Sequence, residues 1–312
     1  MISKSTKNMS REDWLIERQK GIGGSDAAAI AGLNRYRSPI DVWMEKTGKA
    51  EELSDNDAMR LGRDLEPYVV SRWEEITGKK ARRRNAILTC EEHPFMLANI
   101  DRWVVGENAG LEIKTGSPYT ADQWADGKIP GHYEIQCHHY MAVTGAEKWY
   151  LCALIFPRIE CRIIERDEET IRALTDIEGR FWNNYVLPKE LPPPDGSDAA
   201  GDALKEIYPS AEHGSAMSLN SKGKDMLRYW EIDELIKTLE TEQKEIKQSI
   251  QAEMGDIETA WIGEDTVTWK NQKGRTTIDA KRLKKEQPEV YEQYAKTGKD
   301  LRVFRVKKGD RK

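Results

Sequence analysis

The chain has 312 residues, of which 33% are charged and 38% hydrophobic, with a formal net charge of −5. That length exceeds one average domain, so two structural units are expected. Ten Trp and eleven Tyr exclude wholesale disorder, and no apolar run approaches the ~20 residues that cross a bilayer. The first fourteen residues, MISKSTKNMSREDW, lack the apolar centre of a secretory signal, which points to the cytoplasm and no membrane partner.

In chain order, a helix is expected over 10–19 and a glycine turn over 21–24. Ser25 then caps an Ala-rich helix that begins near Asp26. Helices over 39–46 and 65–76 are stopped by Gly48 and Gly78. Strand patterns follow over 85–89, 96–105 and 111–115, with a loop at 106–110 joining the last two. Helical patterns resume over 120–126 and 133–143. Two strands, 149–156 and 161–165, flank a turn at Pro157, and a helix over 168–185 closes the series. The order suits an α/β (α+β) core with a central mixed sheet flanked by helices. Prolines and small polar residues over 187–202 read as a linker, giving expected units 1–195 and 196–312. Beyond it, Tyr229, Ile232, Ile236, Leu239, Gln243, Ile246 and Ile250 recur in steps of three and four, a coiled-coil seam. Short strands are expected over 263–273 and 302–307, around a basic helix. Basic residues gather at 79–84 and again from Lys281 to Lys312, so a modestly acidic total says little about any local groove. The four cysteines show no CxxC spacing and are expected to be reduced, structural thiols.

The chemistry concentrates in Asp101, ten intervening residues, and then Glu112-Ile113-Lys114. Side chains alternate along a strand, so Glu112 and Lys114 share a face that Ile113 leaves. If the chain turns back at 106–110, Asp101 comes beside Glu112. The two carboxylates and the Ile113 carbonyl then form a hard-oxygen pocket suited to Mg²⁺, with Mn²⁺ as a substitute. Lys114 would orient or help deprotonate a water for attack on phosphorus. The plainer alternative is a surface hairpin with an exposed Glu–Lys pair. Glu66 shares the helical spacing of Val69, Val70 and Trp73 on the apolar stripe. It is either a third carboxylate facing the site or an acidic residue favouring its helix N-terminus. Gln136 can reach the sheet edge that holds Lys114, or can be an ordinary helix-surface residue.

Taken together, RQKGIGGSDAAAIAG, LGRDLEP, LANIDRW…LEIKTG and YEIQCHHYM resemble the lambda-type phage exonucleases, the YqaJ-like viral recombinase group of the PD-(D/E)XK nuclease superfamily. The resemblance runs over about 14–185. It implies a restriction-endonuclease-like core and a metal-dependent 5′-to-3′ exonuclease on double-stranded DNA ends, leaving 3′ overhangs for recombination. Glu66, Asp101 and Glu112 would be acidic site residues, Lys114 the catalytic lysine and Gln136 the glutamine of the site. Arg18 and Ser25 would grip the terminal 5′-phosphate, for which accessible N–H groups at a glycine-rich helix start and an arginine fork are suited. The resemblance further implies a ring-shaped trimer, a single-strand annealing recombinase as partner, and a phage or prophage protein acting in a bacterial host. It says nothing of the C-terminal coiled-coil and small β unit, expected to bind DNA or a partner. An endonuclease or single-strand nuclease of the same superfamily is the nearest alternative. A non-catalytic DNA-end or recombinase scaffold is the more distant one, and paired carboxylates without a metal would repel its DNA.

Overall fold

Alternating apolar residues of the first unit converge on one five-stranded sheet, which sits between helices. The computed structural model describes residues 1–50, 55–298 and 300–309. Residues 299 and 310–312, part of the expected basic stretch, lie outside the described residues. The chain divides into two units, Met1–Pro209 and Ser210–Lys312.

The first unit runs β1 (Ile2–Ser5), α1 (Arg11–Gln19), α2 (Gly24–Ile30), α3 (Pro39–Lys46), α4 (Asp57–Thr77), β2 (Ala81–Arg83), β3 (Ala86–Thr89), β4 (Leu97–Ala98), β5 (Arg102–Val104) and β6 (Ala109–Gly116). It continues with a 3₁₀ segment (Pro118–Gly127), α5 (Gly131–Thr144), β7 (Lys148–Ile155), β8 (Arg158–Glu165), α6 (Glu168–Phe181) and α7 (Asp198–Ile207). The main sheet has the order β2-β5-β6-β7-β8, and a small sheet has the order β1-β3-β4. β6 and β7 pair in parallel, with Ile113 opposite Cys152, while the other neighbours in the main sheet are antiparallel. Parallel strands need a long crossover; the 3₁₀ segment and α5 supply it.

Strand alternation sorts the core. Leu111, Ile113, Tyr150 and Cys152 meet Val69, Val70 and Trp73 of α4, whereas Trp149, Leu151 and Ala153 meet Cys137, Tyr140 and Met141 of α5. Gly110 is required on the α5 face, since a Cβ there would lie 2.1 Å from the Trp149 ring. A third cluster joins α2, α3, α6 and α7 through Ala27, Ile40, Trp43, Leu174, Phe181, Ala200 and Ala203.

Several expectations are corrected. The strand expected over 96–105 is two strands of different sheets, broken at 99–101, where the chain leaves one ladder and joins the other. The helix expected over 65–76 begins eight residues earlier, at Asp57, and Asn56 caps it by accepting from the Met59 N–H at 2.9 Å. Pro67 therefore lies inside a helix, not in its first turn, and Asp64 is no cap. Ser25 does not cap α2: Gly23 is the N-cap residue, and the Asp26 carboxylate accepts from the Gly23 N–H at 2.8 Å. Segment 120–126 forms 3₁₀ turns with non-helical Ala125 and Asp126. Cys152 and Cys161 are direct register partners on β7 and β8, and they form a disulfide. Only pairing across the hairpin, invisible in linear spacing, brings these two thiols together. The compact unit ends at Pro209 instead of 195, because α7 buries Ala200 and Ala203 against the third cluster.

The second unit contains α8 (Gly223–Met254), β9 (Thr259–Ile262), β10 (Asp265–Thr268), α9 (Ala280–Glu286) and α10 (Pro288–Tyr294). β9 and β10 form an antiparallel hairpin: β10 falls inside the strand expected over 263–273, its partner β9 precedes that range, and no strand forms over 302–307. Among the described residues of this unit, Met254 alone is buried. No described helix is long and apolar enough to cross a membrane.

Candidate active site

The break between β4 and β5 decides the geometry. Asp101 lies where a ladder partner for β6 would otherwise continue, and its Oδ2 accepts from the Ile113 N–H at 2.9 Å. A strand residue's N–H and C=O face the same neighbour, so the Ile113 carbonyl points to the side where Asp101 sits. Glu112 projects to the opposite face of β6 from Ile113, toward α5, and is 3% exposed. Its Oε1 accepts from Lys114 Nζ at 2.6 Å and from Gln136 Nε2 at 2.7 Å. Gln136 is in turn held by Tyr140 Oη at 2.8 Å, one helical turn away. Lys114 Nζ also lies 5.0 Å above the Tyr133 ring centroid, a cation–π contact on its other side.

Charge and burial conflict here. The Asp101 carboxyl is pushed up to about 8, first by burial and then by the Glu112 carboxylate, against the pull of Lys114. Lys114 is raised above the usual lysine range: burial opposes this, but Glu112 and Asp101 outweigh it. One ammonium thus faces two carboxylates, Glu112 buried and Asp101 half-buried, and Glu112 Oε2 is buried with no hydrogen-bond partner. A buried, unsatisfied carboxylate oxygen is costly. The donor set of Asp101, Glu112 and the Ile113 carbonyl is hard oxygen throughout and fits a small divalent cation.

Glu66 is placed at the same end of the sheet but is taken by arginine. Its Oε1 lies 2.5 Å from Arg102 Nη1, and that same Nη1 donates to the Asp101 carbonyl at 2.9 Å. Among the described residues, no group of three or more His, Cys, Asp or Glu side chains converges to hold a metal. The two-carboxylate set is what the geometry offers.

The two other sequence candidates lie on the other side of Gln136. α2 approaches α5 so closely that a Cβ on Gly24 would fall 2.9 Å from Gln136 Cγ and 2.7 Å from Tyr140 Cε1. Ser25 is exposed in the first turn of α2. Arg18 stacks over Trp14 at 4.8 Å, and its guanidinium stands 3.9 Å from where a Gly23 Cβ would be. Beneath them lies a network that was not anticipated. Fully buried Asp26 meets Lys46 Nζ at 2.7 Å and Arg37 Nη1 at 2.5 Å, and Lys46 also donates to the Arg18 carbonyl at 3.1 Å. Burial would raise the Asp26 carboxyl, but Lys46, Arg37 and Arg18 hold it well below the ordinary range. Tyr140, Arg102 and Lys46 were likewise missed as supports. Only the i, i+4 spacing of Gln136 and Tyr140, and the adjacency of Arg102 to Asp101, carried a signal.

Comparison with known proteins bears on the family and the fold. The YqaJ-like viral recombinase domain model matches residues 13–147. A Bacillus subtilis (strain 168) protein described as uncharacterized protein YqaJ is 42% identical over 301 residues, covering 95% of this chain and 94% of its own. Among solved structures, LHK-Exo in complex with dAMP is similar at a TM-score of 0.50 and 21% identity, over 57% of this chain and 93% of that one. A second structure of the Laribacter hongkongensis alkaline exonuclease, LHK-Exo, matches over the same shares at a TM-score of 0.49 and 21% identity. With a mixed sheet flanked by helices, the first unit has the PD-(D/E)XK fold, and the chain belongs to the YqaJ-like viral recombinase family.

Proposed function

We propose that this protein is a divalent-cation-dependent deoxyribonuclease acting on double-stranded DNA ends, 5′ to 3′. The observation that carries the reading is buried Glu112, whose Oε2 finds no hydrogen-bond partner, beside half-buried Asp101 and with Lys114 Nζ 2.6 Å away. Asp101, Glu112 and the Ile113 carbonyl would hold Mg²⁺, which commonly takes one or two carboxylates and completes its shell with water and substrate phosphate. Such an ion supplies Lewis acidity at a phosphoryl oxygen and acidifies a water. Lys114, on the Glu112 face of the strand, orients the attacking water and offsets charge growing on the phosphoryl oxygens. Gln136 fixes the Glu112 rotamer, and Tyr140 fixes Gln136.

The preference for ends rests on Arg18 and on Ser25, the exposed residue in the first turn of α2. A terminal 5′-phosphate gripped there would sit against the Gly24–Gln136 contact and hence one side chain from Glu112. A similarity to exonucleases supports the direction of the reading, and an annealing recombinase that takes up the 3′ overhang is the corresponding partner.

The test uses linear duplexes labelled at the 5′ or the 3′ end and a closed circular duplex, each with Mg²⁺ or with a chelator. The expected result is Mg²⁺-dependent release of the 5′ label first, with the circle untouched. Cutting of the circle would favour an endonuclease, and early release of the 3′ label would reverse the polarity. Binding without hydrolysis in any divalent cation would leave a scaffold.

A further inference from the structure

The seam on α8 has no use in the reading above, and it is uncovered. Tyr229 (47% exposed), Ile232 (41%), Ile236 (49%), Leu239 (61%) and Ile246 (54%) all lie open along one side of a 32-residue helix. Their spacing is strict: Tyr229, Ile236, Gln243 and Ile250 take the first core position of successive heptads, and Ile232, Leu239 and Ile246 the second. We infer that this seam binds a second copy of the same helix, parallel and in register, so that the chain self-associates through a coiled coil of α8.

Charge settles the partner and the direction. In a parallel pair the residue before each first core position faces, on the other copy, the residue five places further on. That sets Arg228 against Asp233 and Glu242 against Lys247, both attractive. The remaining such positions, Leu235 with Glu240 and Ser249 with Met254, bring no like charges together. Antiparallel packing that keeps the core layers filled would set Asp233 against Glu240 or Glu240 against its own copy, and like charges across a pair destabilise it. Gln243 argues the same way. In register it meets the Gln243 of the other copy, and each amide can donate to and accept from its twin. Antiparallel, it would face Ile232 or Leu239 and remain unsatisfied. Within one helix, Glu242 and Lys247 are five apart and do not face each other, so their complementarity has a use only between copies.

The test is disulfide trapping in the full-length chain, with the wild type giving the background from its own cysteines. Gln243→Cys places thiols in one core layer, whereas Thr241→Cys places them on the outer face. Neighbouring thiols at millimolar effective concentration should cross-link on the order of 1,000-fold faster than those meeting at micromolar concentration. Mixed Tyr229→Cys and Ile250→Cys proteins, after exchange, should give only like-with-like products. On the Gln243→Cys background, Glu242→Lys and Lys247→Glu should each slow trapping, and the two together should restore it. Equal rates for Gln243→Cys and Thr241→Cys would overturn the proposal, as would a dominant Tyr229→Cys/Ile250→Cys product or a double exchange slower than both single ones.

Discussion

The two units treat charge and oil in opposite ways. In Met1–Pro209 the interior holds charged and polar side chains, among them Asp26, Lys46, Arg102, Glu112, His139 and Glu178. Nearly all of them are tied to partners on another element. In Ser210–Lys312 a row of isoleucines and leucines lies outside, and Met254 alone is buried among the described residues. Buried charge is expensive without compensation, so the first unit marks places where position matters more than stability. An exposed apolar row marks a surface whose partner is elsewhere. The first unit is therefore expected to respond to single polar substitutions, and the second to substitutions along its seam.

The largest effect expected on that contrast is catalytic. Lys114→Ala should lower single-turnover cleavage of linear duplex by about 10²–10⁴-fold, with duplex affinity at fixed salt unchanged, as gel-shift and quench measurements would show. A comparable loss of affinity would make Lys114 a DNA contact instead.

Next come the buried ion pairs. Asp26→Asn leaves Lys46 and Arg37 without their carboxylate, and breaking such a pair costs about 3–5 kcal/mol. The folded Asp26 carboxyl is depressed below its ordinary value, so its contribution is complete above pH about 4 and is lost as pH falls through the folded value. Urea unfolding of wild type and Asp26→Asn should differ most near neutrality and converge in strong acid. A gap independent of pH would assign the loss to packing alone. His139 offers a second case. Its ring nitrogens reach Glu178 Oε1 and the Leu97 carbonyl, both at 2.8 Å, joining α5, α6 and β4. The Leu97 carbonyl can only accept, so Nε2 carries a proton, and Nδ1 shares a proton with the Glu178 carboxyl. Glu178→Ala should destabilise the fold by a similar amount, while Glu178→Gln, which keeps a hydrogen-bond partner for Nδ1, recovers part of it.

Smaller effects test the boundaries. A chain ending at Pro209 should melt like the first unit of the whole protein. One ending at Asp195 loses the α7 cover over the third cluster and should melt lower by roughly 4–8 °C, for a loss of about 2 kcal/mol. Equal melting would return the boundary to 195. Arg18→Ala should slow 5′-phosphorylated ends by about 10–100-fold relative to 5′-hydroxyl ends, the equivalent of a charge-assisted contact worth ~1.5–3 kcal/mol. Equal slowing on both would leave Arg18 a structural residue stacked on Trp14.

Much of this is legible in the sequence. The residue types Asp101, Glu112 and Lys114 carry their spacing in the sequence, and strand alternation alone places Glu112 and Lys114 on one face. The structure brings both together with Gln136. What was not legible depends on partners far along the chain. Arg102 claims Glu66 through an ion pair between β5 and α4, and Asp26 rather than Ser25 closes the start of α2, with Lys46 and Arg37 paired to it. The break at 99–101 was hidden because apolar residues stand on both sides of it, and its two short strands bury them in different sheets. The paired Cys152 and Cys161 were missed for the same reason. Linear spacing does not report register across a hairpin.

The most direct measurement follows Mn²⁺ binding by calorimetry alongside duplex cleavage, in wild type and in Glu112→Gln. The amide keeps the volume and can still pair with Lys114 and Gln136, but it removes the charge that with Asp101 would hold the ion. The expected result is saturable Mn²⁺ binding and cleavage in the wild type, with both lost in Glu112→Gln while its melting temperature stays equal or rises. A Glu112→Gln protein that binds Mn²⁺ and degrades DNA like the wild type would contradict the assignment of the site.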